Sequence, residues 1–119
     1  MIDVLTGSPR SDQVVPILDD DLFAPDLLIP EVLGFFRRMA SQKRLPAADA
    51  DRLAQVFQSA PVEYVPVWPH TARIWELRHV LSPYDACYLA IAEELGAPLV
   101  TCDLRLARAA TGLVPVIVV

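Results

Sequence analysis

The sequence predicts an α/β fold in which helices cover both faces of a parallel sheet. Short apolar, β-branched segments alternate along the chain with segments of helical periodicity, and this alternation is typical of such sheets. Hydrophobic residues make up 54% of the 119 residues, which favours a sheet buried on both faces or an apolar surface kept for a partner. The length fits one domain over residues 1–119.

The first third of the chain is predicted to contain a short helix, a short strand and a longer helix. Residues 1–5 are apolar and end at a turn signal, residues 11–18 favour a short helix, and residues 22–24 favour a strand. A longer helix is predicted from Pro30, because apolar residues recur there at helical spacing. Its apolar face consists of Val32, Leu33, Phe35, Phe36 and Met39.

The rest of the chain continues the alternation of helices and strands. Leu53, Val56 and Phe57 are expected to face inward from a helix. Good helix formers followed by Gly96 indicate another helix that ends at this glycine. The predicted elements are helices over 47–59, 71–79, 84–95 and 103–110, and strands over 62–67, 99–101 and 114–119.

The charge of the chain argues against a passive nucleic-acid coat. The formal net charge is −5, whereas such coats are strongly basic because they neutralise phosphates. An acidic nuclease stays possible, since clustered carboxylates can hold a metal ion that meets the phosphate.

The two cysteines, Cys87 and Cys102, indicate reduced thiols rather than a zinc site. They lack the CxxC spacing and a partner cluster of histidines. The sequence shows no signal peptide and no apolar run of the roughly 20 residues that a membrane-spanning helix needs. We therefore expect a cytoplasmic protein that does not associate with a membrane.

Three carboxylates occupy the same kind of position in the predicted fold. Glu31, Asp85 and Asp103 each lie at the start of a predicted helix. Strand-to-helix junctions of a parallel sheet lie on one edge, so the three acids can converge there. Each acid can also act simply as a helix cap or interact with the helix dipole, and the pattern alone leaves both interpretations open.

A cluster of these acids would suit metal-dependent hydrolysis. Mg²⁺ and Mn²⁺ prefer hard oxygen ligands, and a bound ion can activate water and stabilise a leaving oxygen. The four glycines form no phosphate-binding loop, and His70 and His79 are expected to be structural or solvated. A phosphoacceptor receiver domain needs a late lysine, but Lys43 is the only lysine.

Aromatic and arginine side chains provide a second set of candidates. The aromatic residues can form a surface for a second copy or another partner, or can simply be buried in the core. The arginines can steer a nucleic acid, pair with acids of a partner, or solvate the exposed helix faces. These residues are Phe35, Phe36, Trp68, Trp75, Arg37, Arg38, Arg78, Arg105 and Arg108.

Three stretches resemble the signature segments of PIN-domain ribonucleases. They are Pro30-Glu31-Val32, then Tyr84-Asp85-Ala86 followed by Tyr88-Leu89-Ala90, and then Thr101-Cys102-Asp103-Leu104-Arg105-Leu106-Ala107. The segment over 81–107 is the most specific of them, and the similarity extends over essentially the whole chain. The closest resemblance is to VapC toxins of type II toxin–antitoxin pairs.

The resemblance implies a three-layer α/β/α sandwich with a parallel central sheet. It also implies Mg²⁺- or Mn²⁺-dependent endonucleolytic cleavage of RNA, a homodimer, and inhibition by a VapB-type antitoxin. Glu31, Asp85 and Asp103 match three of the family's four acids and are the expected catalytic and metal-binding residues. Thr101 matches a hydroxyl position near the metal and is expected to support Asp103.

The N-terminus departs from the family pattern. The family begins with a strand that carries its first acid, and residues 1–5 resemble the segment that follows this strand. The sequence therefore predicts that the first strand and first acid are absent, and Asp3 is expected to be a surface or capping residue. Two hypotheses follow: an active endoribonuclease toxin, or a catalytically weak or inactive PIN domain that still binds an antitoxin.

Overall fold

The computed structural model describes residues 22–119. The expectations for residues 1–21, which include Asp3, the short helix and the first strand, lie outside this part of the chain. In chain order the described elements are β1 (Leu22–Pro25), α1 (Leu28–Ser41), α2 (Ala47–Gln58), β2 (Val62–Val65), α3 (Thr71–Glu76), α4 (Pro83–Leu95), β3 (Leu99–Thr101), α5 (Leu104–Ala110) and β4 (Val116–Val118).

The strands pair in parallel, as the alternation of strands and helices predicts. Strand β1 pairs with β2, with Ala24 opposite Tyr64, and β3 pairs with β4, with Val100 opposite Ile117. A parallel pair needs a crossover between its strands, and helices provide it here: α1 and α2 link β1 to β2, and α5 links β3 to β4. Together with the helices, these parallel pairs confirm the predicted α/β class.

Helix α4 forms the centre of the described core. Seven consecutive residues of α4, from Ala86 to Ala92, are buried, so this helix is covered on all its sides. It packs in one apolar cluster with Leu28 and Val32 of α1 and with Leu99 and Val100 of β3. Burial of each large apolar side chain contributes about 1.5–3 kcal/mol, so this cluster holds the ends of the strands and helices in place.

Both ends of α4 carry the residues that local chemistry favours. Ser82 caps the start, where its hydroxyl oxygen accepts a 3.2 Å hydrogen bond from the backbone N–H of Asp85, and Pro83 occupies the first helical position. Gly96 ends the helix with φ of 61°, a left-handed conformation that costs a glycine little. The predicted end of this helix at Gly96 is confirmed.

Helix α2 is more exposed than its apolar periodicity predicts. Phe57 is buried, but Leu53 is 38% exposed and Val56 is 61% exposed, so the expectation that all three face inward is wrong for two of them. The pattern identifies an apolar face, but no described element covers the part of that face nearest Val56. Helix α2 and the facing part of α1 instead border an open groove.

The predicted helix over 71–79 is regular only as far as Glu76. Tighter 3₁₀ turns precede and follow it, at Trp68–His70 and Leu77–His79. His70 is buried, with its ring nitrogens hydrogen-bonded to the Pro66 carbonyl and the Glu94 carboxylate, which confirms its expected structural role. This polar anchor ties the turn before α3 to the end of α4.

Two further expectations concern the thiols and the membrane. Neither Cys87 nor Cys102 takes part in a disulfide bond. Within residues 22–119, no helix has the length and apolar character needed to cross a bilayer.

Candidate active site

Glu31 lies in the first turn of α1, immediately after Pro30. Proline suits this part of a helix because the first backbone N–H groups have no partner inside the helix. The Glu31 carboxylate accepts a hydrogen bond from the hydroxyl of Tyr88, which projects from the buried helix α4. A residue 57 positions later in the chain therefore fixes this carboxylate.

Asp85 lies in the first turn of α4, three positions after the Ser82 cap. Its side chain is 25% exposed, so it reaches the surface without being fully solvated. The Oδ2 atom lies 3.7 Å from a guanidinium nitrogen of Arg105. Since the Arg105 side chain is 80% exposed, this ion pair is weak and is easily exchanged for another partner.

Asp103 caps the start of α5 just after strand β3. Its Oδ1 atom accepts hydrogen bonds from the backbone N–H groups of Arg105 at 2.9 Å and Leu106 at 3.3 Å. The backbone N–H of Asp103 donates to the hydroxyl of the fully buried Thr101 at 2.9 Å. Thr101 therefore supports Asp103 in the structure, and the helix-cap interpretation of Asp103 holds as well.

Arg105 and Tyr88 connect the three predicted acids. Arg105 contacts Asp103 through its backbone and Asp85 through its side chain. Tyr88 follows Asp85 by three positions on α4, which is the spacing of neighbours on one helix face, and it binds Glu31. The structure thus joins Asp85 to Asp103 through Arg105 and separately ties Glu31 to α4 through Tyr88.

A fourth acid belongs to the same neighbourhood. Burial raises the pKa of the Cys87 thiol, and the negative charges of Glu31 and Asp26 raise it further. Asp26 directly follows strand β1, and its N–H continues the pairing of that strand by donating to the Val65 carbonyl at 3.0 Å. The sequence reasoning did not select Asp26, although an acid just after a strand is the pattern that identified Asp103.

A cavity of about 330 Å³ opens beside Asp85. The polar part of its wall includes two arginines, Asp85 and the serine that caps α4. Its lining includes Arg78, Ser82, Asp85 and Arg105. The Asp85 carboxylate and two arginine side chains therefore share one depression in the surface.

The donor set suits a hard divalent cation. Carboxylates and a hydroxyl are the oxygen ligands that Mg²⁺ and Mn²⁺ prefer, and a thiol held protonated by its raised pKa does not compete with them. Within residues 22–119, no three acidic, histidine or cysteine side chains already converge as ligands. The weak pairing of Asp85 with Arg105 leaves room for rearrangement at small cost.

Comparison with known proteins gives a consistent result. The family model described as "PIN domain" matches residues 1–112. "VapC ribonuclease Mb0985" from Mycobacterium bovis is 42% identical over 103 residues, which cover 87% of this chain and 81% of that protein. "Ribonuclease VapC9" from Mycobacterium tuberculosis matches with the same identity and coverage. "Ribonuclease VapC1" from the same species is 35% identical over 120 residues, with 92% and 84% covered. The chain therefore belongs to the PIN-domain family and is of the VapC type.

Proposed function

We propose that this chain is an endoribonuclease toxin of a toxin–antitoxin pair that hydrolyses RNA with Mg²⁺ or Mn²⁺. The observation that carries the proposal is the link between Asp85 and Asp103 through Arg105, next to an open cavity. The relatives named as ribonucleases support the RNA substrate. RNA in the cytoplasm would be the accessible target.

Asp85 and Asp103 are the proposed metal ligands, and Glu31 completes the acidic set. A bound ion would lower the pKa of a water molecule and offset the charge on the phosphoryl oxygens. The chain's own contribution is to hold these carboxylates: Thr101 fixes the backbone at Asp103, and Tyr88 fixes Glu31. Arg105 would leave Asp85 and turn its guanidinium towards a phosphate, which it can bind with two parallel hydrogen bonds.

A VapB-type antitoxin is the proposed inhibitory partner, and a second copy of the chain is the proposed dimer partner. An apolar groove of about 470 Å³ lies between α1 and α2. Apolar side chains at its rim or on the same two helices are partly exposed, including Leu33, Leu53 and Val56. Such a groove can receive the apolar face of a partner helix. This observation also favours the second hypothesis, an antitoxin-binding PIN domain with weak or no cleavage.

RNA cleavage by the chain in Mn²⁺, in Mg²⁺ and in EDTA tests the proposal. Asp85→Asn preserves the size of the side chain and removes its charge, so cleavage should fall to the level seen in EDTA. Glu63→Gln is the matched control, because Glu63 is an exposed acid on β2 that lines neither the cavity nor the α1–α2 groove. Cleavage that persists in EDTA or in Asp85→Asn would contradict the proposed mechanism.

The two hypotheses give different results in this assay. The nuclease hypothesis predicts cleavage that requires both the metal and Asp85. The binding-module hypothesis predicts a folded chain that binds a VapB-type antitoxin in a titration and cleaves no RNA under any of the three conditions. Folding is checked for each variant by its denaturation midpoint in urea.

A further inference from the structure

We propose that the cavity beside Asp85 is a nucleotide-binding subsite, in which Arg78 and Arg105 bind RNA phosphates and the ring of Trp75 stacks on a base. This inference rests on the proposed function and names how the RNA is held next to the carboxylates. It adds a specific role for Trp75 and Arg78, which belong to none of the three acidic motifs.

The two arginines give the cavity a local positive charge within an acidic chain. Arg78 and Arg105 lie on its wall beside the single acid Asp85. In the part of the chain that the structure describes, Arg78 makes no ion pair, and the one ion pair of Arg105 is the exposed 3.7 Å contact with Asp85. Both guanidinium groups therefore have donors to offer to a phosphate.

Arg78 also joins the cavity to an exposed aromatic ring. Its guanidinium carbon lies 4.5 Å from the centroid of the Trp75 ring, and its NH1 donates to the Trp75 backbone carbonyl at 2.9 Å. Two contacts thus hold Arg78 in one orientation, with its apolar stem and charged head beside the ring. The cation and the ring form one preorganised surface.

The Trp75 ring has the exposure that a stacking platform needs. It is 67% exposed although tryptophan is among the side chains with the largest apolar area to bury. An exposed aromatic ring next to arginines that can follow a backbone is the combination by which proteins hold single-stranded RNA without reading its sequence. Charge complementarity with phosphate thus favours RNA over an apolar protein partner as the occupant.

Intrinsic fluorescence can observe each of the two tryptophans separately. The chain contains only Trp68 and Trp75, so Trp68→Phe reports Trp75 alone and Trp75→Phe reports Trp68 alone. Trp68 is the matched control, because it is 80% exposed and no arginine within residues 22–119 lies over its ring. The probe is a single-stranded oligoadenylate of about six nucleotides, a length within the usual range of such sites, titrated in EDTA so that binding is measured without cleavage.

The subsite predicts quenching of Trp75 and little change in Trp68. Loss of one base–aromatic stack by Trp75→Ala should weaken oligoadenylate binding by about fivefold or more. Arg78→Gln should weaken it as well and should lower the slope of log affinity against log salt by about 0.7, the value for one phosphate contact on a single strand. Arg52→Gln, an exposed arginine paired with Asp49 on α2, is the control for general charge.

The results separate the subsite from the proposed function. If the chain cleaves RNA but Trp75 fluorescence is unchanged at saturating oligoadenylate, the subsite is wrong and the nuclease proposal stands. If Trp75 is quenched but no RNA is cleaved, the subsite stands and the nuclease proposal fails. If Trp75→Ala changes the oligomeric state in light scattering while oligoadenylate affinity is unchanged, the ring belongs to a contact between copies of the chain and the subsite is overturned.

Discussion

Replacement of Asp103 by asparagine and by alanine separates its two roles. As a helix cap, Asp103 accepts two backbone N–H groups through Oδ1. Asparagine caps nearly as well, so Asp103→Asn should lose only the interaction with the helix dipole, about 0.3–1 kcal/mol. Alanine cannot accept these bonds, and loss of a cap costs about 1 kcal/mol, within a range of about 0.5–2 kcal/mol.

The proposed site predicts a different order for activity. Both variants remove a ligand charge, so both should reduce RNA cleavage to the level seen in EDTA, whereas Asp103→Ala should unfold at a lower urea concentration than Asp103→Asn. Near the midpoint of thermal unfolding, 1 kcal/mol corresponds to about 4 °C for a domain of this size. Cleavage at the parent rate by Asp103→Asn would show that Asp103 is a helix cap alone. Equal stability of the two variants would refute the capping argument.

Three further predictions concern the same end of α4. Tyr88→Phe removes the hydroxyl that binds Glu31. A hydrogen bond to a charged group contributes about 1.5–3 kcal/mol, so we expect the free energy of unfolding to fall by up to that amount and RNA cleavage to slow down. No change in either quantity would contradict the positioning role of Tyr88. Ser82→Ala removes the α4 cap and should lower the free energy of unfolding by about 1 kcal/mol, seen as a lower urea midpoint at unchanged slope, whereas an unchanged midpoint would rule out the cap. Burial raises the pKa of the Cys87 thiol, so its alkylation by iodoacetamide should begin at higher pH than that of free cysteine, and the folded state should lose stability as the pH rises above the ordinary thiol value of about 8.5. Mass spectrometry that finds Cys87 alkylated at the same pH as free cysteine would oppose this.

The elements that the sequence predicted most closely are those with strong local chemistry. Helix α4 begins at Pro83 and ends before Gly96, where a proline and a left-handed glycine act through the backbone alone. Strand β3 is short, β-branched and fully buried, so its composition is sufficient to identify it. The positions of Asp85 and Asp103 at helix starts followed from these boundaries.

Contacts between segments that are distant in the chain could not be predicted from the sequence. Tyr88 and Glu31 are 57 positions apart, and no periodicity connects a tyrosine on one helix with an acid on another. The exposure of Val56 depends on whether another element covers its side of α2, which a helical pattern does not encode. The contact of Arg78 with Trp75 arises from the irregular turns around α3, where local propensity is weak.

Titration with Mn²⁺ followed by electron paramagnetic resonance tests most directly the proposal that Asp85 and Asp103 together hold the divalent cation. The parent chain and the control Glu63→Gln should bind Mn²⁺ alike, whereas Asp85→Asn and Asp103→Asn should each lose most of the affinity. The double variant should lose less binding free energy than the sum of the two single losses, because both acids serve one ion. Parent-level Mn²⁺ binding in Asp85→Asn and Asp103→Asn would contradict the account.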